Sequence, residues 1–305
     1  MNLELPKKVT LIEVGPRDGF QFEKQTIPTE MKVETIKALV GAGLKHIQVA
    51  SFVNPSRVPQ MADAEEVVNR LPESKGVIFS GLVLNTRGVQ RALQAGLKHV
   101  EISISVSDTH SRKNAGVSYD QAFNGVQEMI QLAHAKALVV RAGIQCAFGC
   151  VYEGAVSRER IVRLVQYYAS QKVDTIALSD TTGMADPMSI KQMLRILIPE
   201  CGNIPLGLHL HDTRGLGLAN LMAALACSVS RFDTAMAGMG GCPFVAGAAG
   251  NIATEDTVNL LESMGISTGV DLSKVSKCSH RLEDYLGKQF PGKMHRLVQL
   301  EDLRH

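Results

Sequence analysis

The chain has 305 residues, 45% of them hydrophobic and 20% charged, with a formal net charge of +2. These are ordinary proportions for a globular protein able to bury a sizeable core. No Lys/Arg block is longer than a pair and no apolar run approaches the roughly 20 residues that cross a bilayer, so neither a nucleic-acid footprint nor a membrane span is expected. The N-terminus, MNLELPKKVTLIEV, lacks the features of a secretory or transit peptide, which makes the cytoplasm the expected compartment. The six cysteines, Cys146, Cys150, Cys201, Cys227, Cys242 and Cys278, are accordingly expected as reduced thiols. Cys146 and Cys150 stand four apart without a second pair, so structural zinc is not expected.

Short β-rich runs alternate with segments of helical period. In chain order the predicted strands are VTLIEV from Val9, KHIQVA from Lys45, GVIFSGLV from Gly76, KHVEISIS from Lys98, LVVRAGIQ from Leu138, VDTIALS from Val173, PLGLHLH from Pro205 and FDTAMAG from Phe232. Between them lie amphipathic helices such as PTEMKVETIKALVGAG from Pro28, with a threonine N-cap, and SRERIVRLVQYYASQ from Ser157. The links AGLKHI from Ala42 and AGLKHV from Ala95 read as αβ turns whose glycine ends the helix. Eight βα units predict a (β/α)8 TIM barrel, with an open doubly wound sheet as the alternative. No G-x-G-x-x-G follows the first strand, which weakens the dinucleotide-binding form of that alternative. The whole of 1–305 reads as one catalytic domain, with roughly 265–305 as a C-terminal helical extension.

In such a barrel, polar residues at the C-terminal strand ends are the functional candidates. His209 and His211, one residue apart on the seventh strand, would face the same side. Taken alone, H-x-H fits a hydrogen-bonded core pair as well as it fits two ligands of one cation. The first strand runs into EVGPRDGFQ, where Glu13, Arg17, Asp18 and Gln21 crowd a Gly/Pro-framed turn. There Asp18 could offer an anionic oxygen to a cation, and Arg17 a fork of donors to a developing oxyanion. The eighth strand enters AGMGGCPFVAGAAGNIATED, a long glycine-rich loop with Cys242 at its middle, Asn251 at its end and Glu255 one turn further. Its length favours an active-site lid. Asp18, His209, His211 and Asn251 form a mixed N/O ligand set that suits Mg2+ or Mn2+ with an open position for a substrate oxygen.

The stretches VGPRDGFQ, SFVNPSRVPQMAD, LSDTTG, LHLHDTRG and GMGGCPFVAGAAGNIATED resemble the 3-hydroxy-3-methylglutaryl-CoA lyases of the metallolyase TIM-barrel superfamily. H-x-H with RDG occurs across that superfamily, and the cysteine loop followed by GN-x-ATED is the specific part. The resemblance implies retro-Claisen cleavage of an acyl-CoA thioester to acetyl-CoA and acetoacetate, in leucine breakdown, by a homodimer or higher homo-oligomer. It implies that Asp18, His209, His211 and Asn251 hold a divalent metal, that Arg17 stabilises the enolate oxygen, that His209 also moves a proton, and that Cys242 is the mobile-loop cysteine. Asp180, in LSDTTG, and Glu255 match further acidic positions near the site. One position departs from the pattern: Gln48, in IQVASF, stands where the lyases carry a glutamate. The neutral amide removes one negative charge near Arg17, which implies a related 3-hydroxyacyl-CoA, for instance of the citramalyl-CoA type, as an alternative substrate. A Claisen-condensing or aldolase member of the superfamily and a noncatalytic acyl-CoA-binding homologue are the remaining alternatives.

Overall fold

The computed structural model describes residues 5–241 and 249–302, with side chains to residue 298. Eight parallel strands, β1 (Thr10–Glu13), β2 (His46–Ser51), β3 (Ile78–Val83), β4 (His99–Ser105), β5 (Val139–Gln145), β6 (Thr175–Ser179), β7 (Leu206–His209) and β8 (Arg231–Thr234), pair in sequence order. β8 returns to β1, with Thr10 opposite Arg231 and Glu13 opposite Thr234, and closes the barrel. Each predicted run overlaps one of these strands. The open-sheet alternative is thereby excluded, because a closed barrel has no sheet edge.

The helices are α1 (Thr29–Gly41), α2 (Ala64–Asn69), α3 (Thr86–Gln94), α4 (Asp108–Asn114), α5 (Tyr119–Ala135), α6 (Arg158–Ser170), α7 (Pro187–Cys201), α8 (Gly217–Leu225), α9 (Thr254–Ser263), α10 (Leu272–Leu286) and α11 (Met294–Asp302). Ser157 caps α6 as its sequence predicts, by accepting from Arg160 N. Thr29 does not cap α1. Pro28 occupies that position, and Thr29 Oγ1 donates instead to Asp63 Oδ2 at 2.8 Å, tying the first helical turn to the β2–α2 connection. Gly43 and Gly96, in the two AGLKH links, take φ of 98° and 95°, so each helix stops at a left-handed glycine. α10 and α11 pack on each other, and α10 also lies against α1 and α9.

Apolar side chains such as Ile36, Leu39, Ile47, Leu208 and Phe232 are buried between helices and strands. The interior of the barrel is different: Gln48, Glu101, Arg141 and Asp233 are all buried there, on β2, β4, β5 and β8. After β1 the chain makes a π-helical turn, Gly15–Gly19, and after β8 a 3-10 turn, Met236–Gly238. The two turns abut. A Cβ on Gly19 would lie 2.8 Å from Met239 Cβ, so glycine sets how closely the two connections approach. Gly19→Ala is therefore expected to lower stability by about 1–3 kcal/mol through overpacking, read as a lower urea midpoint; an unchanged midpoint would show that the two turns are free to part.

Candidate active site

The turn after β1 is held by Glu13, the last residue of that strand. Its Oε1 accepts from Gly15 N (2.8 Å) and Met236 N (3.0 Å), and its Oε2 accepts from Thr254 Oγ1 (2.6 Å). One buried carboxylate thus joins the connections after β1 and β8 to the start of α9. Burial pushes its pKa up to about 7, although all three donors pull it down. The turn in this way presents Arg17 and Asp18 to the C-terminal mouth of the barrel.

At β7 the strand ends with His209, and His211 lies just beyond it, in an antiparallel bridge with Asn251. The two rings still face each other, with His209 Nε2 and His211 Nε2 3.1 Å apart. His209 Nδ1 meets Asp233 Oδ2 at 3.1 Å, which leaves Nε2 as the nitrogen turned to the site. Asp18, His209 and His211 place one ligand atom each within 4.8 Å of one another, and all three residues are buried. Burial first, then the neighbouring His209, lowers the His211 pKa to about 3 and keeps its ring neutral. For Asp18 burial works upward, but Arg17 and then the two histidines more than offset it, so its carboxyl stays below the usual range and ionised. A carboxylate and a neutral imidazole are the protonation states that a cation requires.

Asn251 completes the group. Its Nδ2 donates to Asp18 Oδ2 (2.8 Å) and to Met239 O (2.9 Å), while its buried Oδ1 has no hydrogen-bond partner among the described residues. A buried amide oxygen left unpaired costs free energy unless a donor or an ion meets it. Four sequence-predicted ligand residues are therefore together, and their donor atoms fit a divalent cation.

A cavity of about 440 Å3 opens at this mouth, lined among others by Arg17, Asp18, Glu101, Ser103, His209 and His211. Arg17 bonds Asp18 Oδ1 through Nη1 and Gln48 Oε1 through Nε. The partner of Arg17 in place of a glutamate is thus Asp18, with Gln48 passing the contact inward. Gln48 Nε2 donates to Glu101 Oε2 (2.9 Å), and Arg141 Nη1 donates to that same oxygen (2.8 Å). Arg141 Nη2 donates to Asp233 Oδ1 (2.7 Å), whose other oxygen holds His209. A continuous hydrogen-bonded chain runs from Arg17 across the barrel to His209.

Two predicted acidic residues stand off the cavity. Asp180 Oδ1 accepts from Met184 N (2.8 Å) and Ala185 N (3.1 Å) and so shapes the connection after β6; burial raises its pKa to about 6. Glu255 is likewise not among the residues that line the cavity. Its Oε2 accepts from Ala237 N (2.8 Å), its Oε1 from Ser279 Oγ, and it holds Ala237 at a left-handed φ of 54°. Among the described residues its contacts support the connection after β8. Cys242 lies outside the described residues. Glu101, Arg141 and Asp233 were not among the predicted site residues; their signal is a charged residue inside a strand, as in HVEISIS and VVRAGIQ.

The HMGL-like family model matches residues 8–281. The mitochondrial hydroxymethylglutaryl-CoA lyase of Mus musculus is 40% identical over 290 residues, covering 95% of this chain and 89% of that protein. Among solved structures, the HMG-CoA lyase of Bacillus subtilis superimposes with a TM-score of 0.94 at 38% identity, covering 97% of this chain and 99% of that one. An HMG-CoA lyase from Acinetobacter baumannii, in complex with coenzyme A and 3-methylmalate, superimposes with a TM-score of 0.91 at 36% identity, covering 95% of each chain.

Two measurements probe the buried charges. Removing Arg141 leaves Glu101 and Asp233 uncompensated, so Arg141→Met should cost about 3–5 kcal/mol in urea unfolding; an unchanged midpoint would mean that the two carboxylates do not depend on it. Glu13 has its folded pKa raised above the unfolded value, so its contribution is present in full below pH 4.5 and is lost as pH rises through about 7. Glu13→Gln should flatten the fall in stability between pH 5 and pH 8, and an unaltered slope would assign that fall to other groups. With the family model spanning most of the sequence and relatives near 40% identity along almost all of it, the chain belongs to the HMGL-like family.

Proposed function

We propose that this protein is a divalent-metal-dependent lyase that cleaves 3-hydroxy-3-methylglutaryl-CoA to acetyl-CoA and acetoacetate, a reaction of leucine breakdown. The observation that carries the reading is the Asp18–His209–His211 cluster beside Arg17 in one cavity at the barrel mouth. Asp18, His209, His211 and Asn251 would hold the cation, and two oxygen and two imidazole donors without a thiolate suit Mg2+ or Mn2+. When bound, such an ion supplies Lewis-acid chemistry, lowering the pKa of a hydroxyl that meets it.

The remaining work falls to the chain's own residues. Cleavage takes a proton from the tertiary hydroxyl, breaks a carbon–carbon bond and leaves negative charge on the thioester oxygen. Arg17 Nη2 has no partner among the described residues, and Arg17 lines the cavity, so this nitrogen is the donor offered to that oxygen. Asp233 fixes His209 with Nδ1 turned inward. His209 Nε2 can serve as ligand or as proton acceptor, not both at one instant, so it would take the hydroxyl proton only while it does not hold the cation. Cys242 is assigned to proton delivery from the loop after β8.

Coenzyme A belongs to the same reading, because the A. baumannii relative carries it. Around the outer cavity Asn54, Arg57, Asn85 and Asn114 offer polar and cationic groups to such a ligand. A homodimer or higher homo-oligomer is part of the same proposal. The cytoplasm remains the proposed compartment. No described helix is long and apolar enough to cross a membrane. Gln48 favours one second reading, a related 3-hydroxyacyl-CoA whose acyl end suits a site with one carboxylate fewer.

The deciding assay is acetoacetate release from 3-hydroxy-3-methylglutaryl-CoA with Mg2+ or Mn2+, repeated with EDTA. Release that stops with the chelator is expected; release indifferent to EDTA would remove the metal, and no release with metal bound would favour the related thioester. Asp233→Asn, which loosens the orientation of His209, should weaken Mn2+ binding by about 10- to 100-fold. Unaltered Mn2+ affinity in that variant would separate Asp233 from the ligand set.

A further inference from the structure

The Gln48 amide lies between a group that can only donate, Arg17 Nε, and one that accepts, Glu101 Oε2 at 2.9 Å. Its direction is therefore set by its neighbours, oxygen to the guanidinium and nitrogen to the carboxylate. Gln48 is fully buried and Glu101 nearly so. The ladder between β2 and β3 shifts register between Gln48 and Ala50, and bulges of this kind re-aim side chains beside active sites. A carboxylate at position 48 would face the Glu101 carboxylate across the same short gap, with no donor between them. Two such anions in a buried place repel strongly.

We propose that Gln48 and Glu101 form a polarity-matched pair, in which Glu101 is a positioning carboxylate that fixes Arg17 through the oriented Gln48 amide. Arg17 uses Nη1 on Asp18 and Nε on Gln48, so the direction of its remaining nitrogen is set by one ligand-side contact and by this pair. Glu101 is itself held from the far side by Arg141, which Asp233 anchors in turn. The pair thus stands on a fixed base, and a change in its polarity displaces Arg17 before it displaces the barrel. The consequence for turnover rests on the lyase reading above; the pairing itself does not.

The test is a double-mutant cycle with Gln48→Glu, Glu101→Gln and the two combined. The combined variant keeps the number of charges and can satisfy every contact: a carboxylate at 48 accepts from Arg17 and from an amide at 101, whose oxygen takes Arg141. For each protein kcat, KM and the melting temperature are measured. Each single substitution should lower kcat by about 10- to 100-fold with a smaller change in KM, the expected signature of a misplaced Arg17. The combined variant should regain at least about tenfold of that loss and melt above both single variants. Losses that simply multiply, with additive melting shifts, would overturn the pair, and single variants with unchanged kcat would overturn the positioning role. Should the wild type cleave no such thioester, the lyase reading fails by itself, and the melting cycle alone then upholds or overturns the pair.

Discussion

The site depends on how buried charge is compensated inside the barrel. Two arginines, Arg17 and Arg141, and three carboxylates, Asp18, Glu101 and Asp233, are nearly excluded from solvent. Each is tolerable only because the next member of the chain meets it, and a break at one point leaves an uncompensated ion. The same chain fixes the chemistry, since one end orients Arg17 and the other sets which nitrogen of His209 faces the mouth. Stability and function therefore draw on the same contacts.

Around this interior the connections after β1 and β8 behave as one unit. Glu13 bonds both of them, Asn251 reaches from the second to Asp18 on the first, and Glu255 holds Ala237 from below. Three buried acids or amides in separate parts of the sequence thus bring one strand end to another. The glycine at position 19 permits the approach, and the ligand set is assembled only where the two connections touch.

Much of this was legible in the sequence because it is local. Each strand is a β-rich run closed by turn residues, and eight of them with intervening helical periods leave few topologies. The His209–His211 spacing and the RDG turn also read directly, because neighbours in sequence share a face or a loop. What could not be read are side-chain contacts between residues far apart in sequence. Arg141 meets Glu101 from 40 residues away and Asp233 from 92, and nothing in either local pattern names the partner. Thr29 was expected as a cap because helix-start chemistry is local, yet a tertiary partner, Asp63, took its hydroxyl. Glu255 follows the same rule: its position one turn beyond Asn251 suggested the site, but the direction of α9 turns its carboxylate to Ala237 and Ser279.

The central claim is that the histidine pair and the ionised Asp18 share one divalent cation. Anomalous diffraction from crystals soaked in Mn2+ tests it most directly, without reference to turnover. The account predicts a single strong peak between Asp18, His209 and His211, next to Asn251, and its loss in Asp18→Asn. A peak at another place in the fold, or none at that cluster at saturating Mn2+, would contradict it.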